Sequence, residues 1–259
     1  MKLLSYNLGY MLGREGSFGG YLPSIRDMFA GNPDAERRSF HQLTDLIERE
    51  TPDLVSMLEV DHGSSRTHTS GQMQRLRGRL SARGLDYDAA SFGKYDPNWI
   101  LAHLPYYRHF GNGVLTANTR ETEAIYLEHG IKRLVIAVRL APDLVVFVLH
   151  LSLGERSRRR QLRELAGVIQ QHAADASVVL LGDFNILNGA GELDALLDTT
   201  GLELWEPGPT IAPRPLDDFV LSTRCLDVFC CSPELSVERC DVLDVSFSDH
   251  KPVLLEVSL

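Results

Sequence analysis

Apolar residues along the chain gather into short runs that stop on polar side chains, and between those runs they recur at helical spacing. Met1-Lys2-Leu3-Leu4-Ser5-Tyr6-Asn7 reads as a strand that loosens into a loop, rich in glycine and aromatics, over residues 9–32. Asn32-Pro33-Asp34 signals a helix start, because proline at the first helical position gives up no intrahelical hydrogen bond. Phe40, Leu43, Leu46 and Ile47 then recur on one helix face as far as Thr51-Pro52. Leu54-Val55-Ser56-Met57-Leu58 predicts a buried strand ending on Glu59, and Met73, Leu76 and Leu80 predict a second helix. Gly111-Asn112-Gly113 reads as a turn into a strand, and strands over 121–127, 132–140 and 144–149 form an antiparallel meander. The last of them ends on His150, and a helix follows with Leu162, Leu165 and Ile169 inward. Val178-Val179-Leu180-Leu181 is another buried strand, closed by Gly182-Asp183-Phe184-Asn185. A short helix over 189–197, a strand start at Leu216-Asp217-Asp218-Phe219 and a final strand over 253–259 complete the prediction.

Several runs therefore stop on a group that can bind an ion or move a proton. Asp183 and Asn185 stand two positions apart, and strand alternation puts such positions on one face. A carboxylate there can align and deprotonate a water while an amide holds that water or a substrate oxygen. Gly-Asp-Phe-Asn by itself favours an ordinary Asx turn. Repetition changes that balance. Glu59 ends an apolar strand, where a carboxylate is costly unless it is paired or holds a cation. His150, Asn7, Asp217, Asp249 and His250 occupy comparable strand-end positions. The set combines hard oxygen donors with two imidazoles and no thiolate, which suits Mg²⁺ or Mn²⁺ rather than structural zinc. A hard cation, a carboxylate base and histidines facing developing oxyanions describe phosphoester hydrolysis. Spacing alone leaves their convergence open.

Arg66 and Lys94 lie in loops where either could touch an anion, although a solvated loop is the commoner setting. His62 and His68 read as surface histidines. Arg156, Arg158, Arg159, Arg160 and Arg163 would ordinarily make a solvated helix face; beside the site they would draw in phosphate.

With 259 residues, ample apolar content and no linker, repeat or composition break, the chain reads as one domain over 1–259. A formal net charge of -9 disfavours non-specific binding to long nucleic acid. It leaves open a small anionic substrate held by local cations and a metal. The apolar runs are too short to span a membrane, the N-terminus has no signal-peptide core, and four cysteines lack metal-ligand spacing. A cytoplasmic protein with reduced thiols and no stable membrane insertion is the expectation.

In order, Ser5-Tyr6-Asn7, Leu58-Glu59-Val60, His150-Leu151-Ser152, Gly182-Asp183-Phe184-Asn185, Leu216-Asp217-Asp218-Phe219 and Ser248-Asp249-His250 resemble the motifs of the endonuclease/exonuclease/phosphatase superfamily. That group includes deoxyribonuclease I, apurinic endonucleases, neutral sphingomyelinases and inositol polyphosphate 5-phosphatases. Each motif is weak alone; their order from residue 5 to residue 250 is the signal. The resemblance implies an α/β (α+β) fold of the deoxyribonuclease I type. That fold is a four-layer sandwich of two mostly antiparallel β-sheets flanked by helices. It implies Glu59 as the main metal ligand, with Asn7 and Asp249 near the same cation. Asp183 resembles the residue that activates the attacking water, and Asn185 a ligand of water or phosphate. His250 resembles the imidazole that stabilises the transition state, with Asp217 orienting it, and His150 a second phosphate-binding histidine. The apurinic branch has a tyrosine there, so His150 points away from it. The family's usual aromatic is Asp218 here, which makes Asp218 a competitor for the orienting role; the register of Phe219 favours Asp217. The implied activity is metal-dependent hydrolysis of a phosphoester of unspecified class, a phosphodiesterase foremost. Nuclease activity and a non-catalytic scaffold are the alternatives. Loops 9–32 and 61–70 are where specificity is expected.

Overall fold

The apolar runs become strands buried on both faces, and this sets the layers. The computed structural model describes residues 1–11, 33–64, 70–104, 107–211, 223–245 and 247–258. One sheet takes β1 (Lys2–Asn7), β2 (Leu54–Asp61), β3 (Asp88–Gly93), β4 (Phe110–Thr116), β11 (Ser236–Val242) and β12 (Val253–Ser258), ordered β11-β12-β1-β2-β4-β3. The other takes β5 (Thr122–Tyr126), β6 (Leu134–Ala141), β7 (Leu144–His150), β8 (Ser177–Asp183), β9 (Glu203–Trp205) and β10 (Asp227–Cys231), ordered β5-β6-β7-β8-β10-β9. Only β1–β2 and β7–β8 pair in parallel among the described strands. The helices are α1 (Pro33–Glu50), α2 (Gln72–Ser81), α3 (Ile100–His103), α4 (Glu155–His172) and α5 (Asp194–Thr200).

Alternation along β8 shows how the layers arise. Val179 and Leu181 face the other sheet and pack with Leu3, Leu54, Val146, Val148 and Phe229. Val178 and Leu180 face outward, with Phe147, against Leu162 and Leu165 of α4. On the opposite side, Leu4, Tyr6, Val55 and Met57 pack against Phe40 and Leu43 of α1 and Leu76 of α2. The order is helices, sheet, sheet, helices, as the resemblance implies. Each fully buried aliphatic contributes about 1.5–3 kcal/mol, and truncating one to alanine would cost ~2–5 kcal/mol.

The first helix starts at Pro33, as expected, and the last strand pairs with β1. The short helix expected over 189–197 is a 3₁₀ turn, Ala190–Leu193, followed by α5. The strand expected at Leu216 lies outside the described residues, as does most of loop 9–32 and residues 65–69 of loop 61–70. All four cysteines are free thiols. No described helix is long and apolar enough to cross a membrane.

Candidate active site

Three adjacent strands of the second sheet deliver one row of functional groups. Parallel register sets His150 of β7 beside Asp183 of β8, and antiparallel register sets Asp227 of β10 on its other side. Gly182 permits this approach. Its φ is +134°, and a Cβ there would lie 2.0 Å from the Leu149 carbonyl oxygen on β7, a geometry open only to glycine.

The first sheet reaches the same point from across the sandwich. Asn7, the last residue of β1, donates from Nδ2 to Asp183 Oδ2 at 3.1 Å. Beside it, β2 carries a bulge between Met57 and Val60, and within it Glu59 has a φ of 53°. Its N–H donates to Asn112 Oδ1 at 3.2 Å. Bulges re-aim side chains, and a non-glycine residue held in the left-handed region stores ~1–3 kcal/mol, a pattern concentrated at functional sites. Asn185 also has a φ of 53°, a conformation asparagine tolerates. Its N–H donates to Asp183 Oδ1 at 3.1 Å and its Nδ2 to the Leu151 carbonyl at 2.9 Å.

The electrostatics follow from this packing. Asp183 Oδ2 lies 3.2 Å from His150 Nε2 and 3.9 Å from His250 Nε2. Burial alone would raise the Asp183 carboxyl. His150, then His250 and Lys132, outweigh it and hold the group well below the ordinary carboxylate range. For His250 burial opposes the charge, but Asp227, then Asp183 and Asp249, raise the imidazole to about 10. His250 Nδ1 donates to Asp227 Oδ2 at 2.7 Å. Burial also pushes Asp227 upward against the pull of His250; at this separation the shared proton belongs on the imidazole. His150 goes the other way. Burial, then the Lys132 ammonium that touches its Nε2, lowers it to about 4, and its buried Nδ1 has no hydrogen-bond partner. Asp183 thus lies between two buried imidazoles that their surroundings push in opposite directions, His150 down and His250 up.

Asn7, His150, Asp183, Asn185 and His250 are brought into one cluster by these contacts. Asp249 adjoins it, with Ser248 Oγ donating to Oδ1 at 3.3 Å. Glu59 pairs with Lys94, whose Nζ is 3.7 Å from Oε1. Lys94 corrects the solvated-loop expectation. It is buried and donates to the Tyr10 hydroxyl at 3.3 Å. Burial lowers it to about 8, against the pull of Glu59. Arg158 corrects the solvated-face expectation for its run. It is 1% exposed and forms a bidentate pair with Glu192. Arg66, Asp217 and Asp218 lie outside the described residues; the described carboxylate that orients His250 is Asp227. Two site residues escaped the sequence reading. Asp227 opens the run Leu226-Asp227-Val228-Phe229-Cys230, a signal of the same kind as those used. Lys132 precedes β6 rather than lying in the strand expected over 132–140, and nothing in its spacing marks it.

No three His, Cys, Asp or Glu side chains converge on an ion position among the described residues. A closed zinc cage does not fit. The donors at hand are the Glu59 and Asp249 carboxylates and the Asn7 amide oxygen. Hard oxygens in this small number suit Mg²⁺, which keeps several waters and uses one or two carboxylates beside substrate phosphate.

The sequence model of the Endonuclease/Exonuclease/phosphatase family matches residues 4–250. No curated protein matches the chain. Solved structures share its fold at low identity. The mannosyl-6-phosphatase of Bacteroides thetaiotaomicron is 15% identical, with 100% of each chain covered and a TM-score of 0.66. The human Nocturnin catalytic domain with bound sulfate is 18% identical, covering 100% of this chain and 94% of that one, at 0.67. D. rerio TDP2 complexed with a single-strand DNA product is 17% identical, covering 100% and 99%, at 0.60.

Proposed function

Since the chain belongs to the endonuclease/exonuclease/phosphatase family, whose members hydrolyse phosphoester bonds, we propose that it is a divalent-metal-dependent hydrolase, foremost a phosphodiesterase. The observation that carries this reading is the buried Asp183 carboxylate set between two imidazoles, its Oδ2 3.2 Å from His150 Nε2 and 3.9 Å from His250 Nε2.

Asp183 is the base. Asn185 N–H fixes Oδ1 and Asn7 Nδ2 fixes Oδ2, so the carboxylate is held still to align a water and take its proton. Asp227 occupies His250 Nδ1, which leaves Nε2–H free to donate to a phosphoryl oxygen as charge builds on it. Lys132 adds a fixed positive charge on the His150 side. Glu59, Asn7 and Asp249 would hold Mg²⁺ or Mn²⁺, which when bound screens charge on phosphoryl and leaving oxygens. A scaffold without chemistry would have no use for so strained and buried a set. The acidic balance keeps a nuclease second.

The test is hydrolysis of an aryl phosphodiester and an aryl phosphomonoester with Mg²⁺, with Mn²⁺ and with chelator. Expected is turnover, higher on the diester, that chelator stops and that Glu59→Ala and Asp183→Ala abolish while both variants keep the folded circular-dichroism spectrum. Full activity in either variant sinks the assignment.

A further inference from the structure

Six large hydrophobic side chains are exposed among the described residues: besides Met1, Ile100 stands on α3, Leu104 and Tyr107 come just after it, and Ile131 and Leu153 stand on the loops that carry Lys132 and Ser152. Ile100 is 71% exposed, Leu153 60% and Ile131 58%, with Leu104 and Tyr107 less so. These loops form one rim. Ser152 Oγ accepts the N–H of Ile131 at 3.1 Å, which sets Ile131 next to Leu153. The Arg133 guanidinium lies 4.6 Å over the Trp99 ring, which ties α3 to the loop of Ile131. Between Ile131 and Arg133 stands Lys132, in contact with His150.

The rim runs directly into α4. There Arg156, Arg159, Arg160 and Arg163 line a shallow cavity of ≈ 450 Å³ with Glu155. Glu155 is already paired with Arg159 at 2.7 Å. Arg156, Arg160 and Arg163 make no ion pair among the described residues, within a chain of net charge -9. Exposed aliphatics beside unneutralised guanidiniums match one kind of surface. Aliphatic side chains enter the headgroup boundary of a bilayer, and arginines meet anionic lipid there. A nucleic acid strand would instead want several aromatic faces to stack on, and the rim's exposed aromatic, Tyr107 at 38%, is covered more than the aliphatic Ile100, Leu153 and Ile131.

We propose that this rim and the arginine face of α4 dock the protein peripherally on an anionic phospholipid bilayer, with the mouth of the active site turned towards the lipid. That this brings the site to its substrate rests on the hydrolytic reading; the docking itself does not.

The full chain would be sedimented with vesicles of phosphatidylcholine and with vesicles of equimolar phosphatidylcholine and phosphatidylserine. Wild type is expected to partition onto the anionic vesicles and to be released by salt. Arg160→Gln with Arg163→Gln should weaken that partitioning about 25-fold, at about fivefold per arginine. Ile131→Ser with Leu153→Ser should weaken it by about tenfold or more, while hydrolysis of a soluble aryl ester is unchanged. Binding that is absent, or equal on the two vesicles, overturns the proposal. So does capture by a single-stranded oligonucleotide in preference to anionic vesicles at the same salt. Loss of soluble-ester turnover in Glu59→Ala with vesicle binding intact would keep the two readings separate.

Discussion

Asp227→Asn is the sharpest probe of the site, because it removes one charge and almost no volume. In the wild type that charge lies 2.7 Å from His250 Nδ1 and does most to raise the imidazole, to about 10 from an ordinary 6.5. Without it, burial is no longer offset by its main counterweight, and the imidazole falls well below its wild-type value. The asparagine oxygen still accepts from Nδ1–H, so once the ring loses its extra proton Nε2 carries a lone pair where a donor is needed. Loss of a positioned acid typically costs ~10²–10⁴ in rate, and that is the expected drop in kcat/KM on an aryl phosphodiester with Mg²⁺. The pH profile adds a second readout. Activity that needs the protonated imidazole falls as pH rises through its pKa, so the wild-type alkaline limb lies near 10 and the variant's moves to the acid side. Stability carries the same sign. A pKa raised on folding contributes in full below about 6.5 and is lost as pH climbs through about 10. The urea midpoint of wild type should therefore fall across that window from this group, and that part of the slope should vanish in the variant. Wild-type rate and an unshifted limb in Asp227→Asn would refute the reasoning, as would the same effects appearing in Asp217→Asn instead.

Two further changes test the scaffold behind the site. Arg158→Met breaks a buried pair in which Nη2 donates to both Glu192 oxygens, at 2.8 and 2.6 Å, and strands the Ser152 and Leu153 carbonyls that Nη1 serves. It should cost ~3–5 kcal/mol by urea denaturation, with part regained in Arg158→Met/Glu192→Leu; a loss below ~1 kcal/mol would mean the pair is not buried as described. Gly182→Ala forces a Cβ to within 2.0 Å of the Leu149 oxygen at a φ of +134°. It should lower both the thermal midpoint and activity, since the displaced residue next in line is Asp183. A variant of wild-type stability would show that β7 and β8 do not approach as closely as described.

Strands buried on both faces were the legible part of this fold, because sheet-on-sheet and helix-on-sheet packing leave nothing polar between the ends of β7 or β8. Strand-end chemistry was legible for the same reason: Glu59, His150 and Asp183 each interrupt such a run. Partner choice was not. Asp217 and Asp227 both precede apolar residues, and periodicity ranks neither; only the register that puts Asp227 opposite Asp183 decides. The burial of Lys94 was not legible either, because it depends on contacts far away in sequence, with Glu59 in the bulge of β2 and with Tyr10. Arg158 was a different kind of miss. It lies four residues before Leu162 and seven before Leu165, on the inward stripe of α4, so helical spacing already set it apart from Arg156, Arg160 and Arg163. The charge of the run hid the period. Spacing within an element thus separates the buried arginine from the exposed ones, and the exposed ones are left facing outward beside the apolar rim, where a surface of opposite charge is the partner they lack.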